Sequence, residues 1–489
     1  FHRAGGRIIF LGKPPAYVDA LPNERGRKLW ETCEHVAFER LPVLDALEDL
    51  RDLEVRDDSG VRTHKFLYQI RDEGNGGPRW LFIAHADNPA APDMPRPEQL
   101  RVSIRGEWAL SLYNTLDGTI SPLAARREEG RTVLNLSFYE HDSLLVRLDP
   151  PAAAVTTAAA STAAATTVSA VAPVRSQAPG SPVRQPQYFT GPVPISLQEP
   201  NVLLLDIAEF ALNDGAYRPR EEVLRLDSLL RDELKWPSRG DAWAQPWVET
   251  DKSTPHTLRL RYTFDSELEI QGAELALENA AITRVTLNGE AAVSTQLWYV
   301  DKCIGRVNLP AIKRGTNVLE LSLPYGRAVN VEAMYLLGDF GVRVAGSFST
   351  LTPPVRTLAF GDITRQGLPF YGGNLVYHLE TETSASELLV SATYYRGHVL
   401  RVRVDGVDRG VIAYSPYRLN VPGLSPGKHK VDIVYFGSRI NTFGQLHSNM
   451  RGGYWWGPGS WRTQGPAWTY EYCFWPQGVL KSPEISFGG

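Results

Sequence analysis

Two stretches far apart in the chain follow one pattern, and it restricts the fold more than any other feature. Ile282–Leu287 runs into Asn288-Gly289, and Gly315-Thr316-Asn317-Val318-Leu319-Glu320-Leu321 follows. Val399–Val404 runs into Asp405-Gly406, and Gly427-Lys428-His429-Lys430-Val431-Asp432-Ile433 follows. Asn-Gly and Asp-Gly suit the two left-handed positions of a tight hairpin turn. Strict apolar–polar alternation marks a strand with one buried face. Such strands form antiparallel sheets whose apolar faces must be covered, and a second sheet is the simplest cover. From about Asn201 to the end, the chain reads as two distantly repeated β units. This pairing is common in jelly-roll sandwiches of the galactose-binding type. The first unit also carries a helical insertion, Arg220–Leu234, ending before Pro237.

The same period of two runs from His64 to Leu148. Phe66–Ile70, Trp80–Ala84, Leu100–Ile104, Trp108–Tyr113, Thr132–Leu136 and Leu144–Leu148 are expected strands. Asn75-Gly76-Gly77, Arg105-Gly106 and Asp117-Gly118 separate some of them, which predicts a small β-sandwich at 59–150. The opening differs. Arg7–Gly12 is a short apolar strand of the parallel-sheet kind, followed by helical stretches expected at Arg25–Phe38 and Val43–Leu53. Residues 1–58 thus read as the tail end of an α/β domain, cut in its middle. Residues 151–187, rich in Ala, Thr and then Pro, read as a linker. The expected organisation is mainly β: an α/β remnant (1–58), a small sandwich (59–150), the linker, and galactose-binding-like sandwiches at 188–345 and 346–489.

A length of 489 residues suits three or four such domains. The net charge of −4 comes with no basic run, which argues against a nucleic-acid partner. No stretch approaches the roughly 20 apolar residues of a spanning helix. Cys33, Cys303 and Cys473 match no zinc or disulfide spacing and read as small buried hydrophobes. No metal site is expected. The sequon Asn135-Leu136-Ser137 falls inside an expected strand.

Walker, GxSxG, HExxH and strand-preceded GxGxxG motifs are absent. Asp339, Asp362 and Glu471 are carboxylates in apolar or aromatic surroundings, but no two recommend themselves as an acid and base pair. No catalytic residue is expected. The tail carries more signal: Tyr454-Trp455-Trp456-Gly457-Pro458-Gly459-Ser460-Trp461-Arg462, then Trp468, Tyr470, Tyr472, Phe474 and Trp475. Sugar rings stack their C–H faces on flat aromatic surfaces while nearby polar groups take their hydroxyls. Trp455, Trp456, Trp461 and Arg462, with Tyr371 and His447, are therefore the carbohydrate-binding candidates. The plainer alternative makes Trp468, Tyr470 and Tyr472 one core-filling face of a strand, and His447 and His378 satisfied structural histidines.

Longer strings carry a resemblance. Arg439–His447, Trp456-Gly457-Pro458, Trp461-Arg462-Thr463, Trp468–Tyr472, Gly478-Val479-Leu480, Gly361–Asn374, Trp298–Cys303 and Tyr335–Phe340 together resemble the C-terminal part of large α-L-rhamnosidase-type glycoside hydrolases, of the family 106 kind. The resemblance covers nearly the whole chain outside the linker. It implies a modular enzyme whose N-terminal barrel holds the catalytic carboxylates and, where one is used, a calcium ion. None of those catalytic residues has a matching position here. The implied role is a non-catalytic region that supports the missing barrel and binds a rhamnose-containing polysaccharide or glycoside, in an extracellular or periplasmic setting. A purely structural scaffold and an independently active glycosidase are the alternatives, and hydrolysis by this chain alone is left open.

Overall fold

The computed structural model describes residues 1–489 except 64, 75, 87–93, 95, 117, 141, 152–167, 170–185, 239–248, 451–462 and 488–489. Most of the predicted linker and the segment holding Trp455, Trp456, Trp461 and Arg462 lie outside the described residues. The chain is mostly β and divides into two compact units, Phe1–Gln177 and Ala178–Gly489.

In the N-terminal unit, Ile9–Leu11 pairs in parallel with Glu34–Val36. The expected helix over Arg25–Phe38 is corrected: it spans only Arg25–Trp30, and strand geometry takes over at Glu34. Val43–Leu53 also resolves differently, as a helix Arg40–Ala46, a 3-10 turn Glu48–Leu50 and a strand from Leu53. The six strands expected between His64 and Leu148 are all present within about two residues of their predicted ends. Two sheets form, and their alternating apolar residues meet in one core: Leu81, Ile83, Val146 and Leu148 from one, Val55, Val102, Ile104 and Leu134 from the other.

The C-terminal unit holds two sandwiches with the same strand sequence. In one, Ile207–Leu212, His256–Ser266, Gly315–Tyr325, Arg284–Leu287 and Glu290–Ala291 lie side by side. In the other, Val193–Leu197, Leu375–Thr383, Gly427–Tyr435, Leu400–Val404 and Val407–Ile412 take the same order. The predicted turns join corresponding strands: Asn288 and Gly289 have φ of 52° and 84°, Asp405 and Gly406 of 53° and 79°. In each case the first turn residue also reaches across to the Gly-initiated strand. Asn288 Oδ1 accepts from the Val318 amide at 2.9 Å, and Asp405 Oδ1 from the Lys430 amide at 3.0 Å.

The sandwiches are nested rather than consecutive, which corrects the expected division at 188–345 and 346–489. Gln187–Tyr188 pairs with Glu484–Phe487, and Val193–Leu197 with Leu375–Thr383, so both belong to the second sandwich. The chain begins that outer sandwich, leaves it to build the inner one from Asn201 onward, and returns. Two separate cores fit this path, one around Leu260, Leu321 and Leu336, the other around Leu388, Val402 and Ile433. The predicted helix spans Val223–Glu233 and buries Val223, Leu226 and Leu230 at helical spacing. Within the helix, Arg231 Nε pairs with Asp227 Oδ2 at 2.8 Å, and a 2.7 Å bond from the Tyr325 hydroxyl to Asp227 ties the helix to the inner sheet.

Candidate aromatic cleft

After the outer sandwich's last long strand, Arg439–Met450 and Thr463–Phe474 run back across the inner one. Phe370 and Leu446 join the inner core, with Phe443, Tyr472 and Phe474 packed against it. The alternation of Trp468, Tyr470 and Tyr472 does not make a strand; isolated backbone bonds, Thr469 to the His447 carbonyl at 3.0 Å and Cys473 to the Leu446 carbonyl at 2.8 Å, hold the segment. A small open cleft of about 60 Å³ lies where this segment meets the helix N-terminus, lined by Asp206, Glu222, Tyr335, Phe443, His447 and Trp468 among others.

Its floor is charged. Glu222 precedes the helix, and its two oxygens accept from the Leu224 and Arg225 amides at 3.1 Å each, satisfying groups that the first helical turn leaves open. Burial, reinforced by the nearby Asp206, pushes its pKa up to about 7. Asp206 accepts from the Tyr472 hydroxyl at 2.5 Å and lies 3.1 Å from His447 Nε2. His447 Nδ1 faces the Thr469 carbonyl at 3.0 Å. Both ring nitrogens thus face acceptors, which suits the doubly protonated imidazolium. Burial opposes that charge, but Asp206, Glu222 and the Thr469 carbonyl together outweigh it and the His447 pKa is raised.

The rim is aromatic and polar. The Arg225 guanidinium carbon lies 4.1 Å from the Trp468 ring centre, and the Tyr470 hydroxyl donates to Glu221 at 3.0 Å. Arg225 also donates to the Thr463 carbonyl at 2.5 Å and to Glu221 at 2.9 Å. The two flanks of 451–462 are paired with each other: Ser448 bridges Trp468, and the Asn449 amide donates to the Ala467 carbonyl at 2.8 Å. The stem of the aromatic segment is therefore built on this cleft.

The structure places the six candidates unevenly. His447 lies in the cleft wall, and the four from Trp455 to Arg462 belong to the segment outside the described residues, whose stem begins here. Tyr371 does not join them; it is 2% exposed in the outer core and its hydroxyl donates to the Asn374 carbonyl at 2.6 Å, so its ring has no face for a sugar. Asp206, Glu222 and Arg225 went unmarked in the sequence, where only the spacing of Glu222 ahead of the helix gave a signal. Asp362 caps a 3-10 turn through Thr364, Asp339 pairs with Arg356, and Glu471 is exposed. The cysteines are corrected too: Cys303 is exposed and the other two are half-buried. Among the described residues no cluster of His, Cys, Asp and Glu could hold a metal ion, and no helix is long and apolar enough to cross a membrane.

No protein-family model and no curated protein matches the chain. Glycosidases are among the solved structures it is similar to. The rhamnosidase from Novosphingobium sp. PP1Y aligns over 98% of this chain and 30% of its own, at 12% identity and a TM-score of 0.38. The Streptomyces avermitilis α-L-rhamnosidase complexed with L-rhamnose aligns over 89% and 35%, at 12% identity and 0.19. A GH2 β-galacturonidase from Eisenbergiella tayi bound to glycerol aligns over 49% and 37%, at 10% and 0.19. The chain spans about a third of the length of these enzymes.

Proposed function

We propose that this chain is a carbohydrate-binding region of a glycoside hydrolase acting on rhamnose-containing glycans, non-catalytic in glycosidic-bond cleavage, and that it supports a catalytic barrel in the same protein. The observation that carries the reading is the cleft itself. Half-buried Trp468 lines it with Asp206 and His447, exposed Tyr470 and Arg225 lie against Trp468, both bonded to Glu221, and the cleft sits at the stem of a segment whose sequence holds three more tryptophans. Flat apolar faces beside fixed hydrogen-bonding groups are what a sugar ring requires. The choice of rhamnose rests on the sequence resemblance.

Calorimetric titration of the full chain with a rhamnose-bearing polysaccharide tests the reading. Trp455→Ala/Trp456→Ala and Trp468→Ala, each melting as the parent does, should weaken binding roughly tenfold or more. Unchanged affinity in both would count against the cleft.

A scaffold reading has its own support in Tyr472 and Phe474, which pack against the inner core. It expects no binding by the folded parent.

A further inference from the structure

On the outer sandwich, away from the cleft residues, three polar side chains form a relay across neighbouring strands. Ser196 lies on Val193–Leu197, His378 on Leu375–Thr383 and Asp432 on Gly427–Tyr435. His378 stands directly opposite Asp432, while Ser196 faces Val376 and so lies diagonal to His378. Opposite and diagonal neighbours on one sheet face are within side-chain reach. Ser196 Oγ is 2.8 Å from His378 Nε2, and His378 Nδ1 is 2.8 Å from Asp432 Oδ1. The nesting makes this possible, because it brings Ser196 beside a histidine 182 residues further along the chain.

The roles follow from the donors and acceptors. Asp432 can only accept, so it holds the proton on Nδ1 and leaves the Nε2 lone pair facing the serine. The serine hydroxyl then donates to Nε2, the arrangement of a nucleophile with its base and the group that orients the base. Ser196 is exposed, and His378 is 38% exposed, so both can be reached from solvent.

We propose that Ser196, His378 and Asp432 form a serine nucleophile site that cleaves carboxylic esters of small acids. Ser196 Oγ attacks the ester carbonyl carbon as its proton passes to His378 Nε2. The bond to the leaving oxygen breaks while Nε2 returns the proton to it, releasing the alcohol and leaving the acyl group on Oγ. Water then adds to the acyl carbon, giving its proton to Nε2. The bond to Ser196 breaks, Oγ recovers that proton, and the acid departs. The scheme asks nothing of an oxyanion hole, whose single donors are each worth roughly 100-fold or more. It therefore commits to esters with a good leaving group, of the phenyl type, and to slow turnover. This site is independent of the carbohydrate reading and can stand or fall alone.

The test treats the full chain with a fluorophosphonate probe and, separately, with p-nitrophenyl acetate, and locates any adduct by peptide mass mapping. The site predicts one adduct on Ser196, absent from Ser196→Ala and His378→Ala. Acetate release should fall at least roughly tenfold in both variants and in Asp432→Asn, which keeps the shape but loses the tautomer control. Ser196→Ala removes one exposed oxygen, so a folded variant is expected, and its melting temperature checks this. An unlabelled wild type that melts normally, an adduct that survives Ser196→Ala, or hydrolysis equal in parent and variant would each overturn the proposal and leave the three residues as a structural cross-strand ladder.

Discussion

The ionisation of Glu222 is coupled to folding. Buried beside Asp206, it has a folded pKa of about 7 against an ordinary 4.5. The folded state therefore binds the extra proton between those values. Stability is full below about pH 4.5 and declines as the pH rises towards 7, by on the order of 3 kcal/mol from this group alone. His447 acts in the same direction, since its raised pKa is lost as stability when the ring deprotonates. Glu222 is faced by Asp206 and the Leu224 and Arg225 amides, His447 by Asp206 and the Thr469 carbonyl, and Tyr472 donates to Asp206. Melting temperatures measured from pH 5 to pH 8 should fall for the parent and fall distinctly less for Glu222→Gln. An equal slope in both would remove Glu222 from the account. None of this was legible from the sequence, because Asp206 and His447 are 241 residues apart and meet only through the fold.

The repeated turn is the element on which the sandwiches depend. Gly289 and Gly406 each occupy the second left-handed position of a two-residue turn, and no atom lies within 4 Å of an added Cβ at either. An alanine there fits sterically but must hold a positive φ. Gly289→Ala and Gly406→Ala should each cost about 1 kcal/mol, read as a lower urea midpoint with unchanged slope. The agreement between the two sites is itself a test, because the repeat requires similar losses; a loss at one site and none at the other would argue that the turns are not equivalent. These turns and the strands around them were readable in advance, since alternation and an Asn-Gly or Asp-Gly pair are local signals. Helix ends were not. The stretch expected to stay helical through Phe38 turns to strand at Glu34, because Glu34–Val36 finds a parallel partner in Ile9–Leu11 that no local pattern announces.

Across the C-terminal unit, nesting ties the two sandwiches together. The tie is reinforced by Arg439, whose Nη2 donates to both Glu199 oxygens at 2.7 Å and whose Nη1 donates to the Tyr299 hydroxyl at 3.1 Å. Glu199 sits on the crossing between the sandwiches, Tyr299 in the inner one and Arg439 after the outer one's last long strand. Both ions are about a third exposed, so Arg439→Ala should cost only about 1 kcal/mol. Residues 178–489 should unfold in urea as one transition, and the Arg439→Ala variant should lower its midpoint. Two resolved transitions in the parent would contradict the coupling. The nesting was hidden in the sequence because the partners of Gln187–Tyr188 and Val193–Leu197 lie far along the chain. The aromatic tail was readable as a binding candidate; the cleft at its stem was not, since Asp206, Glu222 and Arg225 come from the inner sandwich and its helix. The most direct test of the central claim is a glycan array probed with the full chain, rhamnose-bearing polysaccharides included. The account predicts selective binding to those glycans, lost in Trp468→Ala; no binding to any glycan by a chain that melts normally would contradict it.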